Sequence, residues 1–180
     1  MKALRTIIVP TDLTENSRRA LSYGCWLAAE ERTALAILHV ANDLDAWNGY
    51  SEDLAYAQLE RQPWPVDRVL AEANLDLNRF LEPHLSDLKK TVRATKRVVL
   101  GTVAEQIAAA AEEETADLVI MSPRRHRGLR HFIFGGITDK VTRICPCPVL
   151  SVTQPIPSKA WRGKLTPLLF DWPRQRAANI

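Results

Sequence analysis

Residues 121–138 read MSPRRHRGLRHFIFGGIT. Four arginines (Arg124, Arg125, Arg127 and Arg130) and two histidines (His126 and His131) stand between an apolar run and the pair Gly135-Gly136. The formal net charge of the chain is +3, and without these four arginines it is −1. The basic bias therefore sits in one short loop. Guanidinium groups pair bidentately with phosphate or carboxylate oxygens. Glycines let such a group approach the backbone closely. A helix opening at Ile137 and Thr138 would add unpaired N–H groups and the positive end of its dipole. The chemistry to which these residue types point is anion binding, phosphate above all. A solvated loop face followed by a plain glycine turn is the alternative reading of the same residues.

A second polar loop, Pro10-Thr11-Asp12, follows a short β-branched run. Asp12 is placed to accept hydrogen bonds from a ribose hydroxyl, or to help cap the helix after it. Cys25, Cys145 and Cys147 are an odd set, which argues against a disulfide framework. Cys145-Pro-Cys147 lacks the four ligands of a structural zinc site, and no metal site is assigned. Cys25 reads as a small apolar residue in a helix.

The elements that must position these loops are legible from periodicity. TIIVP (6–10), ALAILHV (34–40), TVRATKRVVL (91–100), ADLVIMS (116–122) and PVLSV (148–152) read as five strands. Between them lie helical stretches. Thr14 caps the first, with Leu21, Gly24 and Leu27 or Ala28 on its inner side. The second runs from Val66 through Val69, Leu70, Ala73, Leu77, Phe80 and Leu81, and Pro83 should kink or end it. His84 continues its stripe as a satisfied, partly buried residue. Thr102 and Glu105 form a capping box for the third, with Val103, Ile107 and Ala110 or Ala111 inward. Ile137, Val141 and Ile144 mark a fourth after the glycines. Residues 41–65 read as a loop with a short helix near Glu52–Leu59. Alternating strands and helices predict an α/β fold, a parallel sheet with helices on both faces. In such a sheet, ligands sit beyond the carboxyl ends of the strands, where the strand order reverses. Both polar loops have that position.

The length of 180 residues suits one domain, able to bury roughly 70% of its unfolded surface. No apolar run approaches the ~20 residues of a membrane span. MKALRTIIVP is too short an apolar stretch for a secretory signal, so a cytoplasmic address is expected. The stretch 154–180 contains Trp161, Leu165, Leu168, Leu169, Phe170 and Trp172 among four prolines. It is too apolar for a free disordered tail and is expected to dock on its own domain or on a partner subunit.

Four stretches together resemble the universal stress protein family over residues 4 to about 153: RTIIVPTDLTENSRRAL, ALAILHV, GTVAEQIAAAAEEETADLVIMS and GLRHFIFGGITDKVTRICPCPVLSV. The last resembles the family's C-terminal signature, with Cys145 where similar sequences often carry alanine before Pro-Cys-Pro. The resemblance implies a Rossmann-like, adenine-nucleotide-binding type of sheet, five parallel strands in the order 3-2-1-4-5. It implies a domain at 1–153 with 154–180 as an extension, and a homodimer joined through the last strand. It also implies ATP, or another adenine nucleotide, as the ligand of one branch. That branch carries Gly, two residues, Gly, nine residues, Gly, then Ser or Thr. Here the four positions are Ser122, Arg125, Gly135 and Gly136, so one of the four matches. Pro10, Thr11, Asp12, Val40 and Met121 fall where that branch contacts adenine and ribose, and Thr138 at a phosphate-side position. The nucleotide-binding candidates are thus Pro10, Thr11, Asp12, Val40, Met121, Ser122, Arg124, Arg125, Gly135, Gly136, Ile137 and Thr138.

No Ser-His-Asp set, carboxylate pair within one loop or metal cluster can be defended, so no catalytic residue is assigned. The expected function is that of a dimeric regulatory stress-response module with weak or lost nucleotide binding, working through an unknown protein partner. An ATP-binding switch with an arginine-modified phosphate loop, extending to slow ATP hydrolysis, is the alternative. A nucleic-acid contact through the arginine loop is the third reading. It is disfavoured because the only interleaved aromatics, Phe132 and Phe134, read as core positions.

Overall fold

The computed structural model describes residues 4–41, 66–84, 88–89, 93–123 and 136–153. Within them five strands and four α-helices alternate. They are β1 (Thr6–Thr11), α1 (Glu15–Glu31), β2 (Ala34–Ala41), α2 (Val66–Leu81), β3 (Arg93–Leu100), α3 (Val103–Glu113), β4 (Leu118–Met121), α4 (Ile137–Ile144) and β5 (Val149–Ser151). All strand pairs are parallel and the sheet order is β3-β2-β1-β4-β5. The expected fold class and strand order are those observed. The expected short helix at 52–59 and the stretch 154–180 lie outside the described residues.

The two-residue period of the strands divides the core between the faces of the sheet. Ile7, Val9, Leu35, Ile37 and Ile120 pack on one side with Leu21, Cys25, Leu27 and Ala28 of α1 and Leu77, Phe80 and Leu81 of α2. Ile8, Ala36, Leu38, Val40, Val119 and Met121 pack on the other with Ala104, Ile107, Ala110 and Ala111 of α3 and Val141 of α4. β1 is wholly buried from Ile7 to Thr11, as a central parallel strand covered on both faces must be.

Several helix details differ from the sequence-based expectation. Thr14 and Thr102 are the N-cap residues of α1 and α3, yet neither side chain makes the capping bond. The Thr14 hydroxyl donates to Asp12 Oδ1 instead. On α4 only Val141 is buried, while Ile137 and Ile144 are 42% and 50% exposed. The helix is short and packs chiefly against α3, with Val141 as its buried residue. Val66 is exposed at the start of α2 and Leu70 and Ala73 are half-buried. Pro83 does end α2, which passes into a 3-10 turn at Glu82–His84.

Candidate functional site

β1 is the strand from which the chain departs in both directions across the sheet. Its pairing with β2 is registered from Thr6↔Ala34 to Thr11↔His39. Its pairing with β4 is registered only at Ile7↔Leu118 and Ile8↔Val119. Pro10 stands two residues beyond that last pair and has no N–H to extend a ladder. The ladder thus stops short of the carboxyl ends of β1 and β4, at the topological switch point, the place where sheets of this kind form a ligand crevice.

The β1 side of the crevice is a turn tied by its own hydroxyls. Leu13 N–H donates to Thr11 Oγ1 at 3.1 Å, and Ser17 Oγ donates to Thr14 O at 2.9 Å. Thr11 Oγ1 and Ser17 Oγ are 2.9 Å apart. A hydroxyl has one hydrogen, and that of Ser17 is used on Thr14, so Thr11 is the donor to Ser17. The relay holds Leu13 at φ 58, a left-handed conformation that a leucine rarely adopts. Such strain persists where the surroundings over-determine it, as this relay does. Asp12 Oδ1 accepts from Thr14 N–H at 3.1 Å and from the Thr14 hydroxyl at 2.6 Å. Of the two roles read for Asp12, helix capping is thus realised by this oxygen.

Val40, at the end of β2, and Met121, at the end of β4, are 8% and 6% exposed. They belong to one apolar cluster, together with Val141 of α4. Ser122 follows Met121. Its Oγ is buried and makes no hydrogen bond among the described residues. α4 then starts from Gly136 as N-cap, whose carbonyl accepts from Asp139 N–H and Lys140 N–H. Asp139 puts a carboxylate in the first turn, where an incoming anion would meet it. Ile137 and Thr138 lie at that helix start, and Thr138 O accepts from Thr142 Oγ1. Arg124, Arg125 and Gly135 lie outside the described residues.

Two groups of this crevice were missed in the sequence. Asn16 Nδ2 donates to Pro123 O at 2.9 Å, which joins the start of α1 to the chain leaving β4. His39 Nδ1 lies 2.9 Å from Thr11 O. A carbonyl only accepts, so Nδ1 carries the hydrogen and the ring tautomer is fixed. A histidine inside the apolar run ALAILHV was the available signal for the second. Nothing local marks Asn16, whose partner is 107 residues away.

A family model described as the universal stress protein family matches residues 3–153. The chain belongs to that family. Among universal stress proteins, YxiE of Bacillus subtilis is 26% identical over 147 residues, covering 81% of this chain and 97% of the relative. The structure of universal stress protein UspA from Lactobacillus plantarum superposes with a TM-score of 0.63 at 16% identity, covering 84% of this chain and 99% of that one. The structure of the universal stress protein from Archaeoglobus fulgidus in complex with dAMP gives a TM-score of 0.54 at 14% identity, covering 84% of this chain and all of that one. At such identities the two structures share the universal stress protein fold with this chain. No helix among the described residues is long and apolar enough to cross a membrane.

Proposed function

We propose that this universal stress protein is a dimeric regulatory module that binds an adenine nucleotide weakly and works through a protein partner. The observation that carries the reading is the asymmetry of its crevice. The adenine and ribose side keeps Thr11, Asp12, Val40 and Met121 at the carboxyl ends of β1, β2 and β4. On the phosphate side, Ser122 puts a buried hydroxyl, with no hydrogen bond among the described residues, where the ATP-binding branch has glycine. The residues fit the nucleoside part of ATP and oppose close approach of its phosphates. If a nucleotide is bound, Thr11 and Asp12 would face the ribose, Val40 and Met121 the base, and the helix start at Ile137 and Thr138 the phosphates. The dAMP complex of the Archaeoglobus fulgidus protein supports an adenine nucleotide as the ligand class. The purified chain should release no stoichiometric nucleotide on denaturation, by absorbance and mass spectrometry. One equivalent of ATP released per chain would overturn the weak-binding reading and favour an ATP switch.

The proposal includes self-association along β5. This strand ends the sheet, with Leu150 half-buried on the α1/α2 side and Val149 on the α3/α4 side. Both side-chain faces are used within the chain, so a partner would pair with the strand's outer backbone edge. Replacing the exposed Ser151 with proline, which removes a backbone donor from the outer edge of β5, should shift the protein toward monomer by light scattering. A monomeric unmodified protein at micromolar concentration would defeat this part of the proposal. The proposed working place is the cytoplasm, which suits Cys25, Cys145 and Cys147, none of them joined in a disulfide.

A further inference from the structure

The turn from α4 into β5 carries two thiols that the crevice does not use. Cys145 closes α4, and its N–H donates to Val141 O at 2.8 Å. Its own backbone is extended, with φ −70 and ψ 135. Pro146 cannot continue the helix, and Pro148 leads into β5. Positions i and i+2 of extended backbone point to the same side. Here that geometry brings Cys145 Sγ and Cys147 Sγ to 3.7 Å, the contact distance of two sulfurs. Both residues are half-buried, packed from one side against the α3/α4 core and open on the other. The remaining cysteine, Cys25, is 2% exposed in the cluster on the opposite face of the sheet.

Packing alone asks for a small residue at each position, and alanine would meet that need at 145. What packing does not require is two sulfurs facing each other at an accessible turn. The donor set also restricts which ion could be held. Among the described residues, no group of three or more His, Cys, Asp and Glu side chains could hold a metal. Asp117, whose charge acts on Cys147, already accepts from Arg5 N–H and Thr6 N–H. Structural zinc takes four ligands, and calcium or magnesium takes a shell of oxygens. Thiolates select soft ions such as Cu(I), and two sulfurs can suffice for a soft monovalent ion.

We propose that Cys145 and Cys147 form a two-thiolate site for a soft monovalent cation of the Cu(I) class. On binding, both S–H bonds break and two sulfur–metal bonds form. The two protons pass to solvent, and neither sulfur nor metal changes oxidation state.

The test uses the full chain, fully reduced and without oxygen, titrated with Cu(I) held by a chromophoric Cu(I) chelator. One Cu(I) per chain should be withdrawn from the chelator. Loss of an outer-shell partner alone costs a metal site 10–100-fold, so Cys145→Ala, which removes a direct ligand, should weaken binding by more than about 100-fold. Cys147→Ala should do the same, and Cys25→Ala should bind as the parent does. Cys145 is half-buried at a turn, so its alanine variant keeps the fold and decides the matter should Cys147→Ala not fold. Copper binding by Cys145→Ala equal to the parent's would overturn the proposal. So would a parent chain that withdraws no copper, or one that takes Zn(II) as tightly as Cu(I).

Discussion

Converting Ser122→Gly, Arg125→Gly and Gly136→Ser in one chain should tighten ATP binding about a hundredfold or more, measured by calorimetry at fixed salt and magnesium. Each good hydrogen bond to a charged phosphate is worth roughly 1.5–3 kcal/mol. Two regained bonds, one from close backbone approach and one from a serine hydroxyl, give at least that factor. The structure accepts two of the three changes readily. A Cβ at 136 meets nothing within 4 Å, and the φ of −69 there suits serine. Serine also caps a helix slightly better than glycine, by a few tenths of a kcal/mol. Ser122→Gly removes a buried hydroxyl that makes no bond among the described residues. Arginine pairing in the unmodified loop would reverse the sign. If the natural chain binds ATP at micromolar strength and the triple variant binds it less tightly, Arg125 is a phosphate ligand and the weak-binding reading fails.

Gly24→Ala should destabilise the fold, although alanine is favoured over glycine in a helix by roughly 0.5–1 kcal/mol. A Cβ at this α1 position would lie 2.5 Å from Val9 Cγ2 and 3.4 Å from Leu35 Cδ1. Val9 and Leu35 are fully buried on the central strands, so neither can swing toward solvent. Overpacking of this kind costs about 1–3 kcal/mol. At this chain length that lowers the melting temperature by about 2–4 °C per kcal/mol of net loss. The cause is separable by a double-mutant cycle with Val9→Ala, which removes the obstructing methyl. The pair should cost clearly less than the sum of the single changes. Additive losses would show that α1 does not approach β1 this closely.

The parts of the fold that periodicity governs were legible in the sequence. Ile7 to Val9, Leu35 to Leu38 and Val119 to Met121 are runs that only a strand covered on both faces explains, and they fill both clusters. Gly24 was placed on the inner side of α1, but how closely it approaches Val9 could not be read from spacing. What local pattern could not tell was which partner a hydroxyl would choose. Thr14 and Thr102 have the residue type and place of caps, but the competition between a backbone N–H and the Asp12 carboxylate is decided in three dimensions. The inward face of α4 was equally hidden, because Ile137 and Ile144 obey helical spacing whether or not the sheet reaches them. At the candidate site, Thr11 and Asp12 stood out as the polar loop after the first strand, whereas Val40 and Met121 entered only through the family resemblance. The bond from Asn16 to Pro123 was not, since it joins loops far apart in the chain. Burial pushes the Cys147 thiol up to about 12, with the hydrogen bond to Cys145 and its charge adding to the effect. That pairing of thiols depends on a turn geometry that Cys-Pro-Cys alone does not specify.

The short ladder between β1 and β4 divides the sheet into two unequal panels. β1, β2 and β3 are stitched along nearly their whole lengths, with register running to Thr11↔His39 and Ala41↔Leu100. β4 and β5 are joined to each other from Val119↔Val149 to Met121↔Ser151, while the register of β4 on the larger panel is confined to Ile7↔Leu118 and Ile8↔Val119, with Asp117 N–H donating to Thr6 O just before it. The crevice opens at the same line, and Asn16 straps across it to Pro123. A molecule seated there would touch both panels at once, and the smaller one carries the β5 edge.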